Sequence, residues 1–140
     1  MKPVRVSLSA RFGRIEEMRG VARWLHSLGY TMTSRWPEAT KDDSNLSNDE
    51  ARRAAAMDVD DVLASDVLVV FGERKGTPGA ERGGRFVEMG IALGAGKAVI
   101  LVGNAENIFS RHPSVTKVAC KTDMARALRA FAESRQEVAA

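Results

Sequence analysis

The pattern of apolar and polar positions predicts a chain built from alternating strands and helices. Short apolar runs rich in β-branched residues are separated by longer segments in which apolar residues recur every three or four positions. The first pattern is typical of buried strands and the second of amphipathic helices. The predicted strands are 4–9, 30–36, 67–71, 98–102 and 115–120, and the predicted helices are 15–28, 48–64, 86–96 and 122–135.

This order of elements predicts a doubly wound α/β sandwich, Rossmann- or flavodoxin-like, with a mainly parallel five-stranded sheet. Residues 67–71 are apolar at every position, as expected of a parallel strand that is buried on both faces. Ser47 and Glu50 form the capping-box pattern that begins a helix. The polar segment 37–47 is predicted to be a loop, and residues 1–140 are predicted to form a single domain.

Composition narrows the class of protein. Of the 140 residues, 44% are hydrophobic and 28% are charged, which suits a globular protein. No apolar run approaches the ~20 residues of a membrane span. The net charge of +3 is scattered, so neither a membrane nor a nucleic-acid polymer is expected as a partner. The lone cysteine, Cys120, fits a cytoplasmic protein and is predicted to be a packed thiol in the last strand.

One carboxylate, Glu88, is distinguished by its apolar surroundings. Every other residue from 86 to 96 is apolar or glycine, and the predicted helix places Glu88 in its first turn. An acid in a first turn is either favoured there by the helix dipole or functional, and the residues alone leave both readings open. The dipole is expected to keep Glu88 ionised, which suits a nucleophile.

Asp58 is a second unusual carboxylate, because it lies on the inward stripe of its predicted helix. An acid on an apolar face must be paired, hydrogen-bonded or functional. It either accepts hydrogen bonds from residues 10–14 or takes part in chemistry. Asp60 and Asp61 fall off the stripe and are predicted to be solvated. The inward stripe consists of Ala51, Ala54, Ala55, Asp58 and Val62.

Ligands of open α/β sheets bind beyond the carboxyl ends of the strands, where the strand order reverses. The segments 10–14, 72–88 and 103–113 follow the first, third and fourth predicted strands, and we expect them to meet there. Two carboxylates in one pocket suit the cleavage of a glycosidic bond. The side chains expected at this edge are Arg11, Arg14, Arg82, Arg85, Glu88 and Asn107.

Two other kinds of site have weaker support in the sequence. Gly83 and Gly84 precede a helix and can present backbone N–H groups to a phosphate, although the fingerprints of dinucleotide and triphosphate sites are absent. No group of histidine, cysteine and acidic residues has the spacing of metal ligands, so no metal is predicted.

The arrangement of these residues resembles the nucleoside 2-deoxyribosyltransferase family, which includes the 2′-deoxynucleoside 5′-monophosphate N-glycosidases. Asp58 is followed eight positions later by Asp66 and an apolar strand. After a loop come Gly84-x-x-x-Glu88-x-Gly90-x-Ala92 and then Gly96-Lys97 before another strand. The similarity covers nearly the whole chain, from Val4 to about Val118, and is most specific in the Glu88 helix.

The resemblance implies a reaction and an assembly. Glu88 would attack C1′ of a 2′-deoxyribosyl group and form a covalent ester, while Asp58 would assist proton transfer at the departing base. A second base or water would resolve the ester, and no cofactor would be needed. Asn107 resembles a residue that reaches into the neighbouring subunit's site, which implies a homo-oligomer built from dimers.

Two departures from the transferases leave substrate recognition open. Ser7 stands where they have a tyrosine, and Arg82 stands where they have a base-contacting aspartate. Residues 10–14 instead look like the phosphate-holding turn of the monophosphate glycosidases. Arg82 or Arg85 would add charge opposite a 5′-phosphate. The predicted substrate-binding residues are Ser7, Ser9, Ala10, Arg11, Phe12, Gly13, Arg14, Trp36, Arg82, Gly84, Arg85 and Asn107.

The resemblance therefore supports an enzyme that acts on a small deoxynucleoside or deoxynucleotide. Transfer of the deoxyribosyl group to another nucleobase is the first interpretation. Hydrolysis of a 2′-deoxynucleoside 5′-monophosphate is the alternative. A related domain that senses a nucleotide without cleaving it is the interpretation from another functional class.

Overall fold

The structure, a computed structural model, describes residues 2–139. The strands are β1 (Arg5–Ser9), β2 (Thr31–Met32), β3 (Val67–Phe71), β4 (Ala98–Val102) and β5 (Val115–Val118). They form a parallel sheet with the strand order β2-β1-β3-β4-β5, which confirms the predicted doubly wound α/β fold. The helices are α1 (Ile15–Ser27), α2 (Asn48–Ala64), α3 (Gly84–Gly94) and α4 (Lys121–Ala139).

Helices pack on both faces of the sheet. On one face, Leu25 of α1 and Leu128 of α4 are buried with Leu8 of β1. On the other face, Val62 of α2 and Met89 of α3 are buried against β3 and β4. Successive strand residues point to opposite faces, so each central strand contributes to both cores. The uninterrupted apolar runs of the central strands follow from this double burial.

The second strand is much shorter than predicted. It covers Thr31–Met32 instead of 30–36, because side chains take over the hydrogen bonds of β1 beyond that point. The backbone N–H of Leu8 donates to Ser34 Oγ at 3.0 Å, and Trp36 Nε1 donates to the Leu8 carbonyl at 2.8 Å. The chain then enters a 3₁₀ turn at Trp36–Glu38.

Two other features of the structure concern the surface of the chain. Cys120 is exposed and follows the end of β5, so the prediction of a packed strand thiol is wrong. The strand ends at Val118 because residues beyond it lead directly into α4. In residues 2–139, no helix combines the length and apolar character that crossing a bilayer requires.

The strand order reverses between β1 and β3, which are neighbours in the sheet. The chain leaves β1 toward α1 on one face and leaves β3 toward α3 on the other. The two departing segments therefore separate and open a crevice at the carboxyl ends of these strands. This crevice holds the candidate active site.

Candidate active site

A cavity of about 600 Å³ lies at the carboxyl ends of β1 and β3. Its size falls within the range of small-molecule sites. Its walls come from the segment after β1, the polar segment before α2, α2 itself, and the start of α3. It brings together nine of the predicted site residues: Ala10, Arg11, Phe12, Trp36, Asp58, Arg82, Gly84, Arg85 and Glu88.

The position of Glu88 follows from where α3 begins. Gly83 precedes the helix with a φ of 78°, a conformation that favours glycine. The helix starts at Gly84, two residues earlier than predicted, so Glu88 lies in the second turn and the first turn contains no acid. Arg85, Met89 and Ala92 turn toward the protein interior. Glu88 lies between Arg85 and Met89 in sequence and faces the cavity.

The electrostatics of Glu88 contradict the expectation of a carboxylate kept ionised by the helix dipole. Burial raises the pKa of Glu88 to about 8, and the Asp58 carboxylate adds to this effect. The dipole acts mainly within the first turn, which Glu88 does not occupy. Ser9 acts in the opposite direction and lowers the pKa of Glu88. The Ser9 hydroxyl nevertheless has no hydrogen bond of acceptable geometry in the part of the chain described.

Asp58 lies on the cavity wall, as its place in the inward stripe predicted. Burial raises the pKa of Asp58 to about 6, with further contributions from the carboxylates of Asp43 and Asp61. Arg35 acts in the opposite direction. Glu88 and Asp58 are therefore two neighbouring carboxyl groups that both resist ionisation.

The prediction that Asp61 is solvated is wrong. Asp61 is 5% exposed and accepts hydrogen bonds from the backbone N–H of Arg35 at 2.9 Å and from its Nε at 2.8 Å. These charge-assisted bonds compensate for the burial of the carboxylate. The inward face of α2 is also rotated relative to the predicted stripe, since Ala51 and Ala55 are exposed. Asp61 thus anchors the segment before the cavity, and Asp58 faces the cavity itself.

The cations that line the cavity are already paired with carboxylates other than Glu88 and Asp58. Within residues 2–139, Glu88, Asp58 and Asp43 form no salt bridge. Their charges therefore oppose one another without a neutralising partner, which is the second reason for the raised pKa values of Glu88 and Asp58. The cation pairs are Arg11–Glu73 at 3.1 Å, Lys41–Glu50 at 2.9 Å, Arg82–Asp42 at 3.2 Å, and Arg85–Glu106.

The two arginines before Glu88 differ in environment. The Arg85 side chain is 2% exposed; its Nε and Nη2 contact Glu106, and its Nη1 donates to the Ala80 carbonyl at 2.8 Å. It therefore joins the start of α3 to the loops after β3 and β4. The Arg82 side chain is 46% exposed, lines the cavity, and pairs with Asp42, which lies outside the cavity walls. Arg82 is the more accessible of the two to a ligand.

The segment after β1 presents Arg11 and Phe12 to the cavity, whereas Gly13 and Arg14 lie outside its walls. A Cβ atom at Gly13 would come within 2.1 Å of the Arg11 guanidinium, so glycine leaves room for that side chain. Arg14 contacts Glu17 and Glu73 and lines a separate cavity of about 490 Å³ near β4.

The other predicted residues take two positions. Ser7 and Ser9 of β1 are fully buried and do not line the cavity. Asn107 lies outside it in the loop after β4 and accepts a hydrogen bond from the backbone N–H of Phe109 at 3.0 Å. The segment 103–113 therefore contributes no wall of the cavity among the described residues, although its Glu106 holds Arg85.

Sequence reasoning missed the contribution of the polar segment before α2. Asp43 and Lys41 line the cavity, as does Met57 of α2. Asp43 occupies a 3₁₀ turn (Asp43–Asn45) that Asp42 caps by accepting from the Ser44 N–H at 2.8 Å. The Asp-Asp-Ser run signalled a turn, but nothing in it showed that the turn folds back over the crevice.

Neither a protein-family model nor a curated protein matches this chain. Two solved structures share its fold. The CMP N-glycosidase BcmB of Clostridium botulinum is 21% identical, with a TM-score of 0.55 over 84% of this chain and 89% of that one. The 2-deoxyribosyltransferase of Bacillus psychrosaccharolyticus is 17% identical, with a TM-score of 0.65 over 86% of this chain and 90% of that one. At the level of the fold, these two structures confirm the resemblance found in the sequence.

Replacing Glu88 by Gln should stabilise the fold at alkaline pH. The folded-state pKa of Glu88 is raised from 4.5 to about 8, so its ionisation disfavours folding progressively across that interval and fully above it. At about 1.4 kcal/mol per pKa unit, the free energy of unfolding of Glu88→Gln should exceed that of the wild type by about 2–4 kcal/mol at pH 9. The two should be nearly equal at pH 4. Urea denaturation at both pH values measures this difference.

The matched control is Glu81→Gln, which changes an exposed carboxylate in the loop before α3. It should give no comparable difference between pH 4 and pH 9. An equal effect of Glu88→Gln at both pH values would show that burial does not disfavour the Glu88 anion.

Proposed function

We propose that this protein cleaves the N-glycosidic bond of a 2′-deoxynucleoside or its 5′-monophosphate and transfers the deoxyribosyl group to another nucleobase. The observation that carries this proposal is the pair of neighbouring carboxyl groups, Glu88 and Asp58, which share one cavity and have no cationic partner. Paired carboxyl groups are the usual means of breaking a glycosidic bond. The sequence resemblance and the fold of the two similar structures support the same chemistry.

In the proposed first step, an oxygen of the Glu88 carboxylate attacks C1′ as the bond from C1′ to the base nitrogen breaks. The bonding electrons leave with the base, and Asp58 donates the proton that neutralises it. In the second step, a nitrogen of the incoming base attacks C1′, and the ester bond to Glu88 breaks. The ionised Asp58 then recovers a proton from the incoming base, so the site returns to its starting state without a cofactor.

The two carboxyl groups are suited to hold a single proton between them. Both ionise at higher pH than usual, because each is shielded from water and carboxylate charges lie nearby. Between about pH 6 and pH 8, the pair retains one proton that the two sites share. The reaction requires this state, with Glu88 ionised and Asp58 protonated. The more basic Glu88 holds the shared proton most of the time, so the reactive arrangement is its minor form.

The walls of the cavity fit the two parts of such a substrate. Phe12 and Trp36 lie with their ring centroids 6.1 Å apart, and both line the cavity, which offers an apolar surface to a nucleobase. The hydrogen bond from Trp36 to Leu8 fixes the orientation of the indole. A 5′-phosphate would be favoured at the start of α3, where Gly84 lines the cavity and no side chain caps the helix.

Water in place of the second base would make the protein a 2′-deoxynucleoside 5′-monophosphate N-glycosidase. This alternative is supported by Arg11 and Arg82 in the cavity wall and by the fold shared with a protein named as a CMP N-glycosidase. A domain that binds a nucleotide without cleaving it would use the same cavity but would not need a reactive Glu88.

We expect release of free base when the protein is incubated with deoxynucleosides and deoxynucleoside 5′-monophosphates, as measured by chromatography. Transfer predicts that release depends on an added acceptor base and yields the exchanged product, whereas hydrolysis predicts release without one. Glu88→Ala should lower the rate by at least about 10³-fold because it removes the nucleophile. Mass spectrometry of the quenched wild type should show one deoxyribosyl or deoxyribosyl phosphate unit on Glu88. Binding of these substrates without any base release would contradict an enzymatic function.

The value of kcat/KM should follow a bell-shaped dependence on pH, with limbs near 6 and 8, because the active state carries one proton on the carboxyl pair. Asp58→Asn should lower kcat and remove the alkaline limb, leaving a single acidic limb that reports Glu88. That limb should lie below pH 8, because the repulsion from Asp58 is gone. A bell-shaped profile that persists unchanged in Asp58→Asn would exclude Asp58 as the proton donor.

We also propose that the protein forms a homo-oligomer built from dimers. Large apolar side chains are exposed on α2, α3 and the loop after β4, including Leu63, Val87 and Ile108, the last at 75% exposure. Apolar surface of this kind is a usual feature of protein interfaces. Asn107 precedes the exposed Ile108 in sequence and does not line the cavity, as expected if it reaches the cavity of a neighbouring subunit.

Sedimentation analysis should therefore give at least twice the monomer mass for the wild type. Val87→Asp should shift the protein toward the monomer, because a charge would have to be buried in the interface. Val138→Asp, which changes an exposed apolar residue of α4, is the control and should leave the mass unchanged. A monomeric wild type at micromolar concentration would contradict the proposal.

A further inference from the structure

We infer that Ser9 positions the proposed nucleophile, its hydroxyl donating a hydrogen bond to the Glu88 carboxylate when that group is ionised. This inference rests on the proposed function only in giving Glu88 the role of nucleophile. It assigns Ser9 to the protein's own catalytic carboxylate instead of to the substrate, which was the prediction made from the sequence.

The two faces of β1 differ in chemistry. Val6 and Leu8 point into the core formed with α1 and α4. Ser7 and Ser9 alternate with them and therefore point to the opposite face, toward α2 and α3. In the sheet register, Ser7 is opposite Leu68, and Ser9 is opposite Val70. Both of those β3 residues belong to the α2–α3 core. Hydroxyl groups thus occupy positions in β1 where its neighbour has apolar side chains.

These hydroxyl groups are buried without hydrogen-bond partners. Ser7 and Ser9 are both fully buried, and the Oγ of each lacks a partner among the described residues. Ser65 provides a contrast, because its hydroxyl is equally buried but donates to the Val62 carbonyl at 2.6 Å. An unpaired buried hydroxyl typically costs about 1–3 kcal/mol. An unpaired donor of this kind is suited to a group that becomes charged only during the reaction.

Glu88 is the group to which the Ser9 hydroxyl can donate a hydrogen bond. Ser9 is the last residue of β1, at the edge of the sheet where the cavity opens, and Ser7 lies one full pleat below it. β1 packs against both α2 and α3, and of its two hydroxyl groups it is that of Ser9 which lowers the pKa of Glu88. A hydrogen bond to a carboxylate favours its ionised form and is stronger than a bond to the neutral acid. The contact should therefore tighten as Glu88 loses its proton.

The other charged groups near Glu88 do not stabilise its anion. Asp58 and Asp61 of α2 and Asp43 of the preceding turn all raise the pKa of Glu88. The cations of the cavity wall are paired with other carboxylates, so none neutralises Glu88. Ser9 is the one group among the influences on Glu88 that favours its ionisation. The remaining charged groups of the cavity wall are Arg11, Lys41, Glu50, Arg82 and Arg85.

The test compares Ser9→Ala with the control Ser7→Ala, a matched change one pleat away on the same face of β1. The midpoint of Glu88 ionisation is followed by NMR of ¹³C-labelled glutamate side chains, with the signal assigned from its loss in Glu88→Gln. Ser9→Ala should raise this midpoint by about 0.5–1 pH unit, since one hydrogen bond to the anion is lost. Ser7→Ala should leave it within about 0.2 unit.

In the activity assay, the alkaline limb of kcat/KM, which follows the more basic Glu88, should move by the same amount in Ser9→Ala. The value of kcat should fall about 10-fold with little change in KM, because the contact is made to the nucleophile and not to substrate. Ser9→Cys, with a weakly donating thiol of similar size, should also raise the midpoint and serves if Ser9→Ala does not fold. An unchanged midpoint in a folded Ser9 variant, or an equal shift in Ser7→Ala, would overturn the inference.

The NMR measurement keeps this inference separate from the proposed function. A midpoint that depends on Ser9 in a protein that releases no base would retain the Ser9–Glu88 contact and reject the enzymatic proposal. Base release that requires Glu88 but is insensitive to Ser9, with an unchanged midpoint, would retain the enzyme and reject Ser9 as its positioning residue.

Discussion

The candidate active site is organised around the burial of one carboxyl group, Glu88, that has no cation beside it. Glu88 faces a cavity in which the nearest charges that influence it are other carboxylates. The protein is not short of positive charge, because arginine and lysine side chains line the same walls. Each of them is paired elsewhere. This separation keeps the pKa of Glu88 high and its anion unstable, and an unstable, poorly solvated anion is a reactive one.

The rest of the fold holds this arrangement against the repulsion it contains. Asp61 is satisfied by Arg35, so α2 is fixed while its neighbour Asp58 remains free to face Glu88. Arg85 ties the start of α3 to Glu106, which sets the helix that carries Glu88. Removing one partner from such a buried pair is costly because it leaves an uncompensated charge. On each of these helices, a residue held in an ion pair therefore lies three positions from an unpaired carboxyl group: Asp61 from Asp58 on α2, and Arg85 from Glu88 on α3.

The fold could be predicted from the sequence because its signals are local. Apolar runs, helical stripes and the Ser47 capping box each report on a few neighbouring residues, and the structure confirms the box with both of its hydrogen bonds. The second strand was overestimated because it is ended by distant contacts, namely those of Ser34 and Trp36 with Leu8. The sequence pattern of residues 30–36 gives no sign of these contacts with β1.

The residues that form the candidate site could largely be predicted from the sequence, but the protonation states of its carboxyl groups could not. Glu88 and Asp58 could be selected because acids are unusual at apolar positions. The state of each acid depends on partners far away in sequence, and the helical stripe could not show that Asp61 has one in Arg35 whereas Asp58 has none. Asp43 was missed because it lies in a polar segment, where an acidic residue does not stand out from its neighbours. The pKa of Glu88 also depends on all these groups together.

The same distribution of charge bears on how an anionic substrate would be received. A 5′-phosphate brings about 1.5–2 negative charges into a cavity that already holds three unpaired carboxyl groups, Asp43, Asp58 and Glu88. It would be admitted most easily while the carboxyls are protonated and beside a cation able to change partner. Arg85 is unsuited to that exchange, because it would leave Glu106 without its buried partner. Arg82 is exposed, its pair with Asp42 is of the weak surface kind, and its side chain lines the cavity. Of the two arginines that the sequence left equivalent, Arg82 is therefore the one whose charge is available to a phosphate.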